Sequence, residues 1–174
     1  SRVTKILSSV GGKITIPTTS SYIEYCEDAW LLLRLHNINA AFAERETNSK
    51  YYFIDNGLLS LLLTDPTTTL LENIVAVSLF RKYGNSNDGE RVFFYKQNVE
   101  VDFYIPDDEL AIQVSYSIEE SDMTEKREVE ALKKLPKALS CKRRLIITYD
   151  EEKTIEDEYG VIEVIPCWKW LIQQ

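Results

Sequence analysis

The stretch Val99-Glu100-Val101-Asp102-Phe103 alternates apolar and acidic residues, and this feature constrains the fold most. A period of two puts Val99, Val101 and Phe103 on one face of a strand and Glu100 and Asp102 on the other. Such a strand is half buried and needs a sheet around it. Arg91 to Lys96 reads as a strand before it. Pro106-Asp107-Asp108 turns the chain, and Leu110 to Tyr116 reads as the strand after it. Helical signals bracket this block. One helix is expected from Pro66 to about Tyr83, opened by Asp65-Pro66 and stopped by Gly84. Another is expected from Ser121 to Leu139, with Met123, Val129, Leu132 and Leu135 inward. Arg144 to Thr148 and Val161 to Ile165 read as strands, and Asp150 to Glu158 as an acidic connecting loop. Pro166 opens a short last helix, Cys167 to Ile172. This order predicts an α/β fold, a mixed β-sheet flanked by helices.

The first 64 residues read differently. Val3 to Val10 is a short amphipathic segment, stopped by Gly11-Gly12. Ile14-Thr15-Ile16-Pro17 reads as extended, because a residue before proline disfavours the helical region. A helix is expected from Tyr22 to Leu33, with Ile23, Cys26, Ala29, Trp30 and Leu33 on its apolar face. Residues 32–38 and 50–54 read as two short strands around the polar stretch Glu44 to Ser49. Asp55-Asn56-Gly57 is a turn signal, and Leu58 to Leu63 a short apolar helix or turn. A helix followed by a hairpin is the layout of a winged helix-turn-helix. The expectation is a small winged-helix-like segment at 1–64, packed on an α/β domain at 65–174.

Charge argues against a nucleic-acid reader. The 174 residues carry a net charge of −8. The helix that would enter a groove, Ser20 to Trp30, carries Glu24, Glu27 and Asp28 and no Lys or Arg. Those carboxylates would repel phosphate. The basic run Lys133, Lys134, Lys137, Lys142, Arg143 and Arg144 reads first as a solvated face near a helix end. Nucleic acid is therefore not favoured as a partner, and a protein contact is preferred.

Several other classes drop out. The apolar run Leu58 to Leu63 is far shorter than the ~20 residues of a membrane span. No phosphate-binding glycine loop is present. Cys26, Cys141 and Cys167 are odd in number and form no CxxC pair, so they read as free thiols in a reducing cytoplasm. The single histidine, His36, reads as structural. The chain begins at Ser1, and the expectation is a piece of a longer cytoplasmic protein.

The candidate chemistry is acidic. Glu72 lies on the helix 66–83, and Glu100 and Asp102 share a strand face. Gln113 and Ser115 share a face of the next strand. A helix Glu, a strand Asp and a doublet on the adjacent strand is the position pattern of a nuclease site. There, carboxylates hold a hard divalent ion such as Mg²⁺, which activates water, and a lysine stabilises the developing charge. Each residue also has a structural reading. Glu100 and Asp102 fit the solvent side of an edge strand, and Glu72 fits a local cap or ion pair. Gln113 and Ser115 fit hydrogen bonds to each other and to nearby backbone.

These motifs, in order, resemble a known family. Lys50-Tyr51-Tyr52-Phe53-Ile54-Asp55-Asn56-Gly57-Leu58, Leu70-Leu71-Glu72-Asn73-Ile74-Val75, Glu100-Val101-Asp102-Phe103 and Ile112-Gln113-Val114-Ser115 carry the match. The chain resembles the domain of unknown function at the C-terminus of bacterial and archaeal AAA-type ATPases, with a PD-(D/E)XK restriction-nuclease-like core. The resemblance implies a P-loop ATPase module upstream, where ATP would bind, then the winged-helix segment, then the nuclease-like domain. It implies Glu72 and Asp102 as metal ligands for Mg²⁺, with Gln113 a weak third. The family's third motif reads Glu-x-Lys, whereas this chain has Gln113-Val114-Ser115. A metal carboxylate and the lysine are lost together. The expectation is a non-catalytic domain with Glu72, Asp102, Gln113 and Ser115 as vestigial site residues. It would act in protein contact or control of its own ATPase module, or as a homo-oligomeric scaffold. The alternative is an active Mg²⁺-dependent DNA nuclease with a lysine supplied from elsewhere, with Lys96, Lys126 and Arg127 as candidates.

Overall fold

A computed structural model describes residues 8–9, 13–41, 48–61, 67–84, 90–119, 122–135, 139–157 and 160–174. Most of Val3 to Val10, the start at Asp65-Pro66, the boundary at 64 and Lys137 lie outside the described residues.

Helix α1 spans Ile16–Asp28. It starts earlier than the expected Tyr22, because Thr15 supplies the N-cap and accepts a hydrogen bond from the Thr18 amide at 3.3 Å. Pro17 falls in the first turn, where its missing N–H costs nothing. The helix also ends earlier than the expected Leu33. Trp30 N–H donates to the Glu27 carbonyl at 2.9 Å and Leu31 N–H to the Cys26 carbonyl at 2.8 Å. These two bonds are a Schellman stop. It places Trp30 in the left-handed region at φ 57°, a position usually given to glycine, at a cost of roughly 1 kcal/mol. Trp30 is therefore 73% exposed and does not join the apolar face of the helix.

The stop releases the chain into β1, Leu32–Asn37, which pairs antiparallel with β2, Ser49–Phe53. A short helix α2, Asn56–Ser60, follows, capped by Asp55, which accepts from the Leu58 amide at 3.1 Å. Helix α3 is Thr67–Tyr83, and Gly84 at φ 62° ends it as expected. Then come β3 Phe93–Lys96, β4 Glu100–Ile105, a single 3₁₀ turn at Pro106–Asp108 and β5 Leu110–Val114. Helix α4, Asp122–Lys133, is shorter than the reading to Leu139. Its residue Met123 is 79% exposed, correcting its inward placement, while Val129, Leu132 and Leu135 are buried. Strand β6, Arg143–Thr148, leads to β7, Lys153–Asp157. The acidic loop expected there is thus a strand. Thr154 and Ile155 favour extended backbone, Ile155 packs on the core, and the acidic residues sit on an edge. Strand β8, Gly160–Pro166, and helix α5, Cys167–Ile172, complete the chain.

The fold is α/β with a mixed eight-stranded sheet in the order β2-β1-β3-β4-β5-β6-β8-β7. Pairs β1–β3, β5–β6 and β6–β8 are parallel, and the others antiparallel. The N-terminal hairpin is therefore the margin of the same sheet. Alternation along the strands divides the interior. Leu33, Leu35, Phe103, Ile112 and Ile147 pack toward α3 and α5 on one face. Tyr104, Ala111, Ile146 and Val164 pack with α4 residues Val129 and Leu132 on the other.

One irregularity in the sheet shapes its acidic face. Phe93 pairs with Tyr104 but Tyr95 pairs with Val101, so β4 carries an extra residue there. This is a β-bulge at Asp102–Phe103. It lets Asp102 and Phe103 both face α3, while Val101 and Tyr104 belong to the α4 side.

Candidate carboxylate site

Four elements converge beside the bulge. Helix α3 supplies Glu72, β4 supplies Glu100 and Asp102, and β5 supplies Gln113. The fourth is β2, which supplies Lys50. The Lys50 Nζ lies 2.8 Å from Glu100 Oε1, 2.9 Å from Asp102 Oδ1 and 3.3 Å from Glu72 Oε1. It also sits 5.6 Å from the centre of the Phe94 ring. Two residues along the same strand face, Tyr52 donates its hydroxyl to Glu72 Oε1 at 2.7 Å. The alternation of a strand thus brings Lys50 and Tyr52 together onto one carboxylate.

The charges are tightly coupled. Burial alone would lower the Lys50 pKa, but the Asp102 and Glu72 carboxylates outweigh it and hold the ammonium well above its usual range. Burial raises the Glu100 carboxyl, yet hydrogen bonds from Lys50 and Lys96 bring it below its ordinary value. Asp102 goes the other way. Burial lifts it from 3.8 to about 6, with Glu72 adding to the rise and Lys50 opposing it. Burial and Glu72 also raise the Tyr52 phenol, so it remains a donor.

Asp102 therefore links stability to pH. A carboxyl whose folded pKa exceeds its unfolded value contributes stability below pH 3.8 that is lost as pH rises through about 6. The Asp102 carboxyl carbon is expected to titrate near pH 6 by NMR, and Asp102→Asn to flatten the stability profile between pH 4 and 6.

Gln113 joins the cluster only through the Asp102 backbone, and Ser115 does not join it. Beyond Phe103 and Ile112 the β4–β5 ladder opens, and side chains bridge the gap. The Gln113 carbonyl accepts from the Asp102 amide at 2.7 Å, and Asp102 Oδ2 accepts from the Val114 amide at 3.0 Å. The Gln113 amide then donates to the buried Glu128 of α4 at 2.6 Å. Ser115 donates to the Ser117 carbonyl at 2.9 Å and touches none of Glu72, Glu100 and Asp102. Glu100 and Asp102 are also not simply the solvent side of an edge strand, since β4 lies inside the sheet.

The central cation is none of Lys96, Lys126 and Arg127. Lys96 reaches only the rim, at 2.6 Å from Glu100, and Arg127 pairs with Glu128. Lys126 is exposed on α4. Lys50 opens the motif Lys50-Tyr51-Tyr52, and its spacing to Tyr52 is the signal the sequence offers for it. The site adjoins a cavity of about 530 Å³ lined by Glu72, Asp102, Gln113 and Arg127.

As arranged, most of the site's oxygens are already engaged by protein donors. Asp102 spends one oxygen on Lys50 and the other on Val114. Glu72 Oε1 is shared by Lys50 and Tyr52, and the Gln113 oxygen is taken by the Asp102 amide. Among the described residues, no group of three or more His, Cys, Asp or Glu is placed to hold a metal ion. Elsewhere, His36 pairs with Glu90. In the basic run, Lys134 pairs with Glu130, Lys142 with Glu109 and Arg143 with Glu163, which spends that field locally. Among the described residues, no helix is long and apolar enough to cross a membrane.

Fold and site together define an α/β domain whose mixed sheet carries a carboxylate cluster gathered around one lysine. The chain belongs to the family described as a domain of unknown function (DUF4143), whose model matches residues 67–170. A second model, also described as a domain of unknown function (DUF8612), matches residues 2–69. The chain is similar to an uncharacterized protein of Methanocaldococcus jannaschii, 33% identical over 178 residues that cover 97% of this chain. It spans 39% of that relative's length. No solved structure matches the chain.

Proposed function

We propose that this is a PD-(D/E)XK nuclease-like domain, fronted by a winged-helix-like segment, in a larger cytoplasmic AAA-type ATPase. In this reading it is non-catalytic and acts in protein interaction or in regulation of the ATPase module. The observation that carries the reading is Lys50, whose ammonium stands among Glu72, Glu100 and Asp102 where a nuclease needs its metal. An ammonium satisfies the carboxylates but supplies no open coordination site and no activated water. The relative's extra length supports a further module in the whole protein.

A second reading has one observation in its favour. Lys50 lies 2.9 Å from Asp102, so it answers the description of a migrated nuclease lysine. In that case Mg²⁺ would bind beside it and DNA would be cleaved. Calorimetric titration with Mg²⁺ and Mn²⁺, run on the native chain and on Asp102→Asn, separates the two. The proposed reading expects no binding of either ion at millimolar metal. Binding and DNA cleavage that both vanish in Asp102→Asn would overturn it in favour of the nuclease.

A further inference from the structure

A second cavity, of about 600 Å³, lies away from the carboxylates, between the start of β1 and the last turn of α3. Its volume falls in the range of small-molecule pockets. Leu33, Ile54, Val77 and Phe80 form its apolar walls. The two carboxylates that line it are each held by a partner, Glu27 by Arg34 and Glu90 by His36. Arg81 is the remaining charged group. It lines the cavity from the end of α3, is exposed, and has no partner among the described residues.

Trp30 stands at the rim. It is the residue that holds the left-handed position of the Schellman stop, where glycine serves better, and it is 73% exposed. A bulky indole at a strained position with most of its surface in water buries little for the fold. It does supply a flat apolar surface over an apolar cavity. Strained residues of this kind gather at ligand clamps.

We infer that this cavity binds a small organic anion with a flat apolar body. The body lies between the indole of Trp30 and the walls at Val77 and Phe80. Its carboxylate or similar anionic group meets the guanidinium of Arg81, whose planar fork suits a two-oxygen anion. The site is independent of the Lys50 cluster and of the proposal made for it.

The test uses 2-naphthoate as the anionic probe and 2-naphthamide as its uncharged counterpart, followed by NMR amide shifts. Saturable shifts are expected at Leu33, Ile54, Val77 and Phe80, with naphthoate binding about tenfold tighter than the amide. Arg81→Glu, on an exposed helix end, should weaken naphthoate by roughly tenfold or more and abolish the preference over the amide. Trp30→Gly should weaken both probes while leaving Tm equal or higher, because glycine fits the left-handed position. That split distinguishes a ligand contact from a structural role. Absence of shifts at those amides, or shifts indifferent to both substitutions, would overturn the inference.

Discussion

Lys50→Met is expected to destabilise the protein by about 3 kcal/mol at neutral pH, in the range seen when one partner of a buried ion pair is removed. Methionine keeps much of the aliphatic stem, so the loss is chiefly electrostatic. Glu72, Glu100 and Asp102 would face one another without their shared cation, since Lys96 pairs with Glu100 and Arg127 with Glu128. The deficit should depend on pH with a fixed sign. Without Lys50 the Asp102 pKa climbs above its native value of about 6, since the cation opposes the rise. Stability tied to a raised carboxyl is lost as pH passes upward through the folded pKa. Glu100 adds in the same direction. Its lowered pKa contributes stability above pH 4.5 that the variant forfeits. The variant should therefore be close to native stability near pH 4 and furthest below it near pH 8. Urea denaturation at both pH values checks this. An equal deficit at the two would mean that Lys50 acts through packing. Adding Asp102→Asn to Lys50→Met should recover part of the loss by removing one of the repelling charges.

The same cluster marks the limit of what the residues alone reveal. Strand periodicity locates β4 and β5, and helix-stop chemistry locates the end of α3, because those signals are local. The order of Glu72 and Asp102 is legible for the same reason. The role of Lys50 is not, since the nearest of its three partners in sequence, Glu72, lies 22 residues away and the furthest, Asp102, 52, and all depend on how β2 is laid into the sheet. The bulge at Asp102–Phe103 is equally hidden, because it exists only as a register difference against β3. Without it, period two would put Phe103 on the face away from Asp102. No glycine announces the stop at Trp30, so the helix reads too long. Strand β7 escapes notice because Glu and Asp on an exposed edge look like loop composition. Periodicity places Gln113 and Ser115 on one face, but the opening of the β4–β5 ladder turns Gln113 to the backbone and to Glu128.

Asn73→Ala should cost a similar amount, roughly 3 kcal/mol for three hydrogen bonds at about 1 kcal/mol each. Asn73 is 1% exposed and sits one residue after Glu72 on α3. Its carbonyl accepts from the Phe53 amide at 2.8 Å, and its amide donates to the Phe53 carbonyl and to Asn56 Oδ1, each at 2.8 Å. Phe53 ends β2, the outermost strand, and its backbone points away from β1 because Ile54 is the residue that bonds Leu31. Asn73 therefore stands in for the neighbour strand that this margin lacks. Alanine leaves the Phe53 amide and carbonyl without those partners and frees the end of the strand that delivers Lys50. Hydrogen exchange makes the argument local. The Phe53 amide should exchange about 1,000-fold faster or more in Asn73→Ala, beyond the roughly 100-fold that a global loss of about 3 kcal/mol imposes on Tyr52, whose backbone faces β1. Asn73→Asp sharpens the test. It keeps the acceptor for the Phe53 amide, loses both donors, and places another carboxylate beside Glu72, so it should be at least as damaging at pH 8 and milder near pH 4. Unchanged exchange at Phe53 in Asn73→Ala would show that β2 is held by β1 alone, and that the position of Lys50 does not depend on α3.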